Sequence, residues 1–179
     1  ESLATGKAAE IIEEMAPDQA ADVLAELEEE TSEGILGEMD VEPKTEVREL
    51  LEYDEDTAGG MMNTEYVALH QRATVADAME AIRGAEDLLE NLNTLFLVDE
   101  EGKLAGAVPI GRLFVAGSET PVAELAAGTL IKVTVREKRD RVTEIFDKYN
   151  ILTLPVVDEE DNLVGIITAD DIISVLRQK

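Results

Sequence analysis

The phrase VDEEGKLAG, Val98 to Gly106, returns as VDEEDNLVG, Val157 to Gly165, 59 residues later. A phrase repeated at that distance marks two copies of one supersecondary unit, each too small to bury its apolar face alone. The phrase has a structural job in each copy. Its run of acids supplies polar turn residues that tolerate left-handed backbone, set between two apolar strands. Gly106 and Gly165 fall inside the second of those strands, where a missing side chain lets backbone approach closely.

The residues around the phrase alternate between strand and helix patterns. In the first copy, Tyr66–Leu69 reads as a strand and Thr74 as the cap of a helix carrying Val75, Ala78, Met79 and Ile82. Thr94–Val98 and Leu104–Val108 form a hairpin about Asp99–Gly102, and Ile110–Val115 a short helix. The second copy repeats the order: strand Ile131–Val135, a helix lined by Val142, Ile145, Phe146 and Tyr149, strands Thr153–Val157 and Val164–Thr168 about a turn at Asp158–Asn162, and a helix Asp170–Leu176. The first helices of the two copies align at an offset of 67, so the first copy holds about eight extra residues near Gly84 to Asn91. Two β-α-β-β-α modules, over 58–118 and 119–179, are expected to bury their sheets against each other.

Residues 1–57 read as helix only. Ile11, Ile12 and Met15 make one stripe; Pro17-Asp18 ends it and opens the next helix. Ala20, Val23, Leu24 and Leu27 follow at helical spacing. Ser32 is expected to cap a third helix bearing Ile35, Leu36 and Met39. Asp40 to Pro43 breaks again before Val47, Leu50 and Leu51. Met15, Val23 and Leu27 recur as Met39, Val47 and Leu51 at an offset of 24, the pattern of short helical hairpins stacked as a small superhelix. Ala58-Gly59-Gly60 reads as a hinge. The fold class is therefore α+β, a short all-α domain followed by the tandem pair.

Composition narrows the function. The chain has no Cys and one His, His70, which removes disulfide, thiol and histidine-cluster chemistry; His70 itself reads as a surface residue. Met61-Met62 reads as core. There are 41 acids against 15 bases, a net charge of −26. Residues 1–57 hold 20 of the acids and 3 of the bases. Such a field repels phosphate backbones, so no nucleic-acid partner is expected. The acidity reads either as attraction of cations or as a solvated acidic face, which a high-salt habitat would also produce. No apolar run approaches a membrane span and no signal sequence opens the chain. A soluble fragment of a longer protein is expected. A nucleophile–base pair and a phosphate-cradling Gly-rich loop are both missing, so the reading is not an enzyme.

Residues 60–178, with LPVVDEEDNLVGIITADDII (154–173) as the best-matched stretch, resemble the CBS domain, which occurs as tandem pairs. The resemblance implies a regulatory sensor that binds adenine nucleotides or metal ions in clefts between the copies. EMAPDQAADVLAEL (14–27) and LLEYDEDTAGGMMNTEYVAL (50–69) narrow it: the chain is similar to the cytosolic part of an MgtE-type magnesium transporter. That likeness implies Mg²⁺ sensing that gates a membrane pore, a homodimer through the CBS domains, a C-terminal transmembrane domain absent from this chain, and a place on the cytoplasmic face of the membrane.

The site residues follow from the residues and the resemblance together. Asp18 and Asp22 stand i, i+4 on one helix face, where like charges cost a few tenths of a kcal/mol; a cation over them offsets that. The plainer alternative makes Asp18 an N-terminal helix acid favoured by the dipole and Asp22 a solvated one. The resemblance implies that these two help bind interdomain Mg²⁺, joined by the Gly60 carbonyl, Asp140, Asp147, Asn150 and Asp171. Asn150 stands where the family often has Asp, which keeps an oxygen and loses a charge. For Asp140 the alternative is helix capping. A second implied site is for ATP or another adenine nucleotide, at G-x-x-T-x-x-D: Gly165, Thr168 and Asp171, with the Thr on phosphate and the Asp on ribose. The first copy has Pro109 and Arg112 at those places, so one nucleotide cleft at most is intact. Asp171 cannot serve ribose and metal in one geometry, so its two assignments compete. Helix capping by Thr168 or Asp170 is the structural alternative.

Overall fold

The structure, a computed structural model, describes residues 2–85, 88 and 92–177. The extra residues expected near 84–91 lie mostly outside the described ones.

Four helices open the chain: α1 (Ser2–Glu13), α2 (Pro17–Ala25), α3 (Glu29–Glu38) and α4 (Val41–Leu51). Pro17 is the first residue of α2, where its missing N–H costs nothing. Pro43 sits in the first turn of α4 for the same reason. The helices related by the 24-residue offset stack, α1 on α3 and α2 on α4, but the repeat is imperfect, since Val23 and Leu27 are exposed where Val47 is buried. Leu24, Leu36 and Val47 are fully buried between them. Ser32 does not cap α3, which begins a turn earlier at Glu29 and runs straight through it. Glu29 and Glu30 occupy that first turn, where the helix dipole favours acids.

The expected hinge is a docked helix. Ala58–Met61 forms α5, with Ala58, Gly59 and Met61 buried. Ala58 N donates to Glu137 O at 2.7 Å and Gly59 N to Val135 O at 2.9 Å. A Cβ on Gly59 would lie 2.5 Å from the Tyr53 ring, and one on Gly60 would lie 2.5 Å from Asp54 O. The glycines serve close packing, not swivelling.

Each copy contains a three-stranded sheet. The first is β1 (Ala68–His70), β2 (Thr94–Val98) and β3 (Leu104–Pro109); the second is β4 (Val133–Thr134), β5 (Thr153–Val157) and β6 (Leu163–Thr168). In both, the middle strand pairs parallel with the first and antiparallel with the third. Leu97 faces Gly106 as Val156 faces Gly165, and both hairpins carry a bulge at the next residue. The leading strands are shorter than expected and sit a little later in the first copy. Helices α6 (Val75–Gly84), α7 (Arg139–Tyr149) and α8 (Ala169–Arg177) complete the modules. Ile110–Val115, expected as a short helix, is a 3-10 helix, as is Val122–Leu125.

The two sheets do bury against each other. Phe96 and Leu104 meet Val157, Leu163 and Ile166 in one cluster. The Tyr66 ring stands edge-on to Phe96 at 6.5 Å, and its hydroxyl donates to Leu163 O at 3.1 Å. The repeated phrase also pairs with itself: Leu104 N donates to Asp161 O at 3.0 Å, and Lys103 bridges to Asn162. Gly102 and Asp161 take the left-handed turn positions, at φ 86° and 70°. Met61 and Met62 are core. His70 is partly exposed, and its Nδ1 accepts from Arg72 N at 3.1 Å.

Candidate functional site

Helix α2 faces the second module, with the docked joint α5 at the edge of the space between them. The result is an open cleft of about 350 Å³ with Asp18, Asp22 and Glu26 on one wall and Glu55, Gly60 and Asp171 among the residues opposite. Five carboxylates therefore share one concavity. Burial pushes the Asp18 carboxyl up to about 6, with the Asp171 charge adding to it. Asp22 is also raised, by burial and then by Glu55 and Glu26, with Arg139 opposing. Asp171 is raised by burial, against two hydrogen bonds from Thr168. Asn63 Nδ2 donates to Asp18 Oδ1 at 3.1 Å, tying the helical domain to the start of the CBS region.

Arg139 is the positive member of this cleft. Its Nη2 donates to Glu55 O at 2.6 Å and its backbone N to Asp56 O at 3.0 Å. Its Nε lies 3.3 Å from Asp56 Oδ1. Sequence reading missed Arg139, Glu55 and Glu26. Nothing in a single sequence separates Arg139 from the neighbouring Lys138 and Arg141; Glu55 lies within the joining phrase, which is the one signal that could have singled it out.

Asp18, Asp22, Gly60 and Asp171 are thus brought together, while Asp140, Asp147 and Asn150 do not line this cleft. All three belong to α7 or its end and are exposed. Asp140 stands in the first turn of α7, whose N-cap is Lys138, so it does not act as the cap. Asn150 is the left-handed C-cap at φ 48°, and its N–H donates to Phe146 O at 2.9 Å. Asn reaches that backbone region easily.

A second, narrower cleft of about 110 Å³ opens between the two modules, with Tyr66, Thr94, Thr153, Ile166 and Thr168 in its walls. Asn93 Oδ1 accepts from Thr153 Oγ1 at 2.8 Å across the module boundary. Thr168 and Asp171 meet: Thr168 N donates to Asp171 Oδ2 at 2.7 Å, and the Thr168 hydroxyl contacts the same oxygen. That is half of a capping box at the start of α8, and it commits one oxygen of Asp171. Gly165 lines neither cleft. A Cβ there would lie 2.6 Å from Met62 Sδ, so its role in the structure is packing. At the place of Asp171 in the first module, Arg112 Nη1 donates to Leu125 O and Ala126 O at 2.9 and 2.8 Å, stapling that half-site to the linker. Asp18 and Asp171 line both clefts, so the two share a wall.

The donor set of the larger cleft suits a hard cation, with oxygen ligands only and no His or Cys. Among the described residues no group of three acids converges closely enough to hold an ion by itself. Mg²⁺ tolerates that arrangement, because it keeps several waters and is commonly held by one or two carboxylates.

Two β-α-β-β-α modules back to back, with a cleft between them, define a CBS pair; the CBS domain model matches residues 58–119 and 112–178. Ahead of it, residues 1–56 match the MgtE intracellular N domain. The chain is 38% identical over 139 residues to the magnesium transporter MgtE of Thermus thermophilus, covering 76% of this chain and 31% of that protein. To the Bacillus subtilis transporter MgtE it is 33% identical over 130 residues, 73% of this chain and 29% of that protein. A crystal structure of the soluble part of a magnesium transporter superposes with a TM-score of 0.92 at 33% identity, covering 97% of this chain and 68% of that one. The cytosolic domain of the Mg²⁺ channel MgtE in complex with ATP superposes at 0.75 and 31% identity, covering 96% and 80%. The chain belongs to the MgtE family. It spans about three tenths of the length of the curated relatives it matches, and among the described residues no helix is long and apolar enough to cross a membrane.

Proposed function

We propose that this chain is the magnesium-sensing regulatory region of a magnesium transporter, working on the cytoplasmic face of the membrane and as a homodimer through its CBS pair. The observation that carries the reading is the meeting of Asp18 and Asp22, from the helical domain, with Glu55 and Asp171 across one open cleft. Like charges facing each other across a domain boundary disfavour closure, and a divalent cation between them reverses the sign. The ion is worth as much as its preference for the closed arrangement. Asp18, Asp22 and Asp171 would supply carboxylate oxygens and Gly60 a carbonyl, with waters completing the shell. Asp140, Asp147 and Asn150 remain candidate ligands on the exposed side of α7, as a separate site. Closure of the helical domain on the CBS pair would be passed through α8 to a C-terminal transmembrane domain outside this chain, so the role is regulatory and not catalytic. Mg²⁺ titration followed by small-angle scattering and limited proteolysis tests the reading. Compaction and protection of residues 52–63 at millimolar Mg²⁺ are expected, and unchanged dimensions would count against it.

A second reading has its own observation. The cleft between the modules carries Thr168 and Asp171 at the start of α8, and a structure 31% identical to this chain is in complex with ATP. Adenine-nucleotide binding there is compatible with ion sensing next door. Calorimetry with ATP, ADP and AMP, with and without Mg²⁺, separates the two: binding that Mg²⁺ leaves untouched, with no separate metal isotherm, would favour a nucleotide sensor alone.

A further inference from the structure

A nucleotide phosphate entering the cleft between the modules meets an unusual wall. Asp18, Glu65, Asp170 and Asp171 all line it, and among its described lining residues there is no Lys or Arg. The one arginine of the neighbouring cleft, Arg139, is turned to the joint by its bonds to Glu55 and Asp56. Arg112, in the first module, is held by Leu125 O and Ala126 O. Among the described residues, then, no cation lines the cleft to neutralise a polyphosphate. Its other lining groups are neutral: the apolar edge of Ile166 and Leu92, the Tyr66 ring, and the oxygens of Thr94, Thr153 and Thr168, which can accept from a ligand while their protons go to Asn93 and Asp171. Those groups suit a base and a sugar. Several like charges lining one partly shielded cleft oppose a free anion.

We propose that this cleft takes a phosphorylated nucleoside only as its divalent-cation complex and rejects the free polyphosphate. The inference rests on the nucleotide reading above and adds the charge state of the ligand. The cation arrives with the phosphates and faces the carboxylates of Asp18, Glu65 and Asp170, so the wall that repels free ATP attracts the complex. Adenosine, with no phosphate, is indifferent to the ion.

Calorimetry on the whole chain tests it, using adenosine and ATP in EDTA, ATP in Mg²⁺, and an exchange-inert cobalt(III)–ATP complex in EDTA. Adenosine should bind equally with and without Mg²⁺. ATP should bind in Mg²⁺ and be weakened by about tenfold or more in EDTA. The cobalt complex should bind in EDTA as ATP does in Mg²⁺. Glu65→Gln with Asp170→Asn, both outside the adjoining metal cleft, should gain binding of free ATP in EDTA, a gain that misfolding cannot produce. Equal ATP affinity in EDTA and Mg²⁺, or no gain in the double variant, overturns the proposal. So does failure of the cobalt complex, since the ion would then act from the adjoining cleft. If neither adenosine nor any form of ATP binds, the nucleotide reading itself has failed.

Discussion

One glycine and one aspartate show how local chemistry works in this chain. Gly165 sits where a methyl group would collide with Met62 Sδ and crowd Asn63 O at 3.0 Å, while Met62 is itself buried. Gly165→Ala should destabilise the fold by about 1–3 kcal/mol, as overpacking does, and denaturant unfolding reads it directly. A loss of only a few tenths would mean that Met62 can move aside. Asp18 makes the opposite kind of statement, since its burial is a standing cost. Its carboxyl titrates at about 6 in the folded chain against an ordinary 3.8. Between those values the folded form holds the proton and the unfolded form does not. Rising pH across that window therefore favours unfolding, and the stabilisation present below about pH 4 is gone above about pH 6. Asp18→Asn should remove this part of the fall. The variant should gain on the parent steadily from about pH 4 to about pH 7 in EDTA. A gap between the two that stayed constant with pH would show that Asp18 titrates normally.

At the scale of elements, local chemistry decides some boundaries and long-range packing decides the rest. Thr74 caps α6 with a full capping box: Asp77 N donates to Thr74 Oγ1 at 3.3 Å and Thr74 N to Asp77 Oδ2 at 2.8 Å. Thr74→Ala should cost about 1 kcal/mol, measurable as a shift of the unfolding midpoint with unchanged slope. That cap, Pro17 at the start of α2 and both hairpins were legible in the sequence, because each is settled within a few residues. The failures have a common cause. Ala58-Gly59-Gly60 looks like a hinge because its glycines are free in isolation. In the fold they are confined by Tyr53, Asp54 and the carbonyls of Val135 and Glu137, partners from before the joint and from the second module. Ser32 looks like a cap because its hydroxyl competes with helix backbone, yet Glu29 and Glu30 already begin the helix. The candidate site divides the same way. Asp18 and Asp22 are readable as neighbours on one helix face. Their meeting with Glu55 and Arg139, 33 and 117 residues after Asp22, depends on how the domains dock, which no local pattern encodes.

For the whole molecule, the question is what holds the helical domain against the CBS pair when no ion is present. Bonds at the joint do so on one side, through Arg139, Ala58 and Gly59. On the other side the Asn63–Asp18 bond is set against the mutual repulsion of Asp18, Asp22, Glu55 and Asp171. The domain interface is thus bonded at one edge and strained at the other, the arrangement that the proposed cation-closed clamp requires. Replacing Asp18 and Asp22 together with Asn separates the two contributions. Lost repulsion should make the ion-free chain more compact, while lost ligand charge should weaken the response to Mg²⁺ and move its midpoint to higher concentration, by about tenfold or more if two carboxylates hold the ion. Scattering in EDTA and across a Mg²⁺ titration reads both. Loss of fold would expand the ion-free state instead, so it cannot imitate the expected result. On the proposed function, the same pair placed in a full-length transporter should weaken closure of its pore by internal Mg²⁺. If the double variant kept the parent's ion-free dimensions and its Mg²⁺ midpoint, Asp18 and Asp22 would be ordinary solvated helix acids, and the ion would have to be held by Glu55 and Asp171 without help from α2.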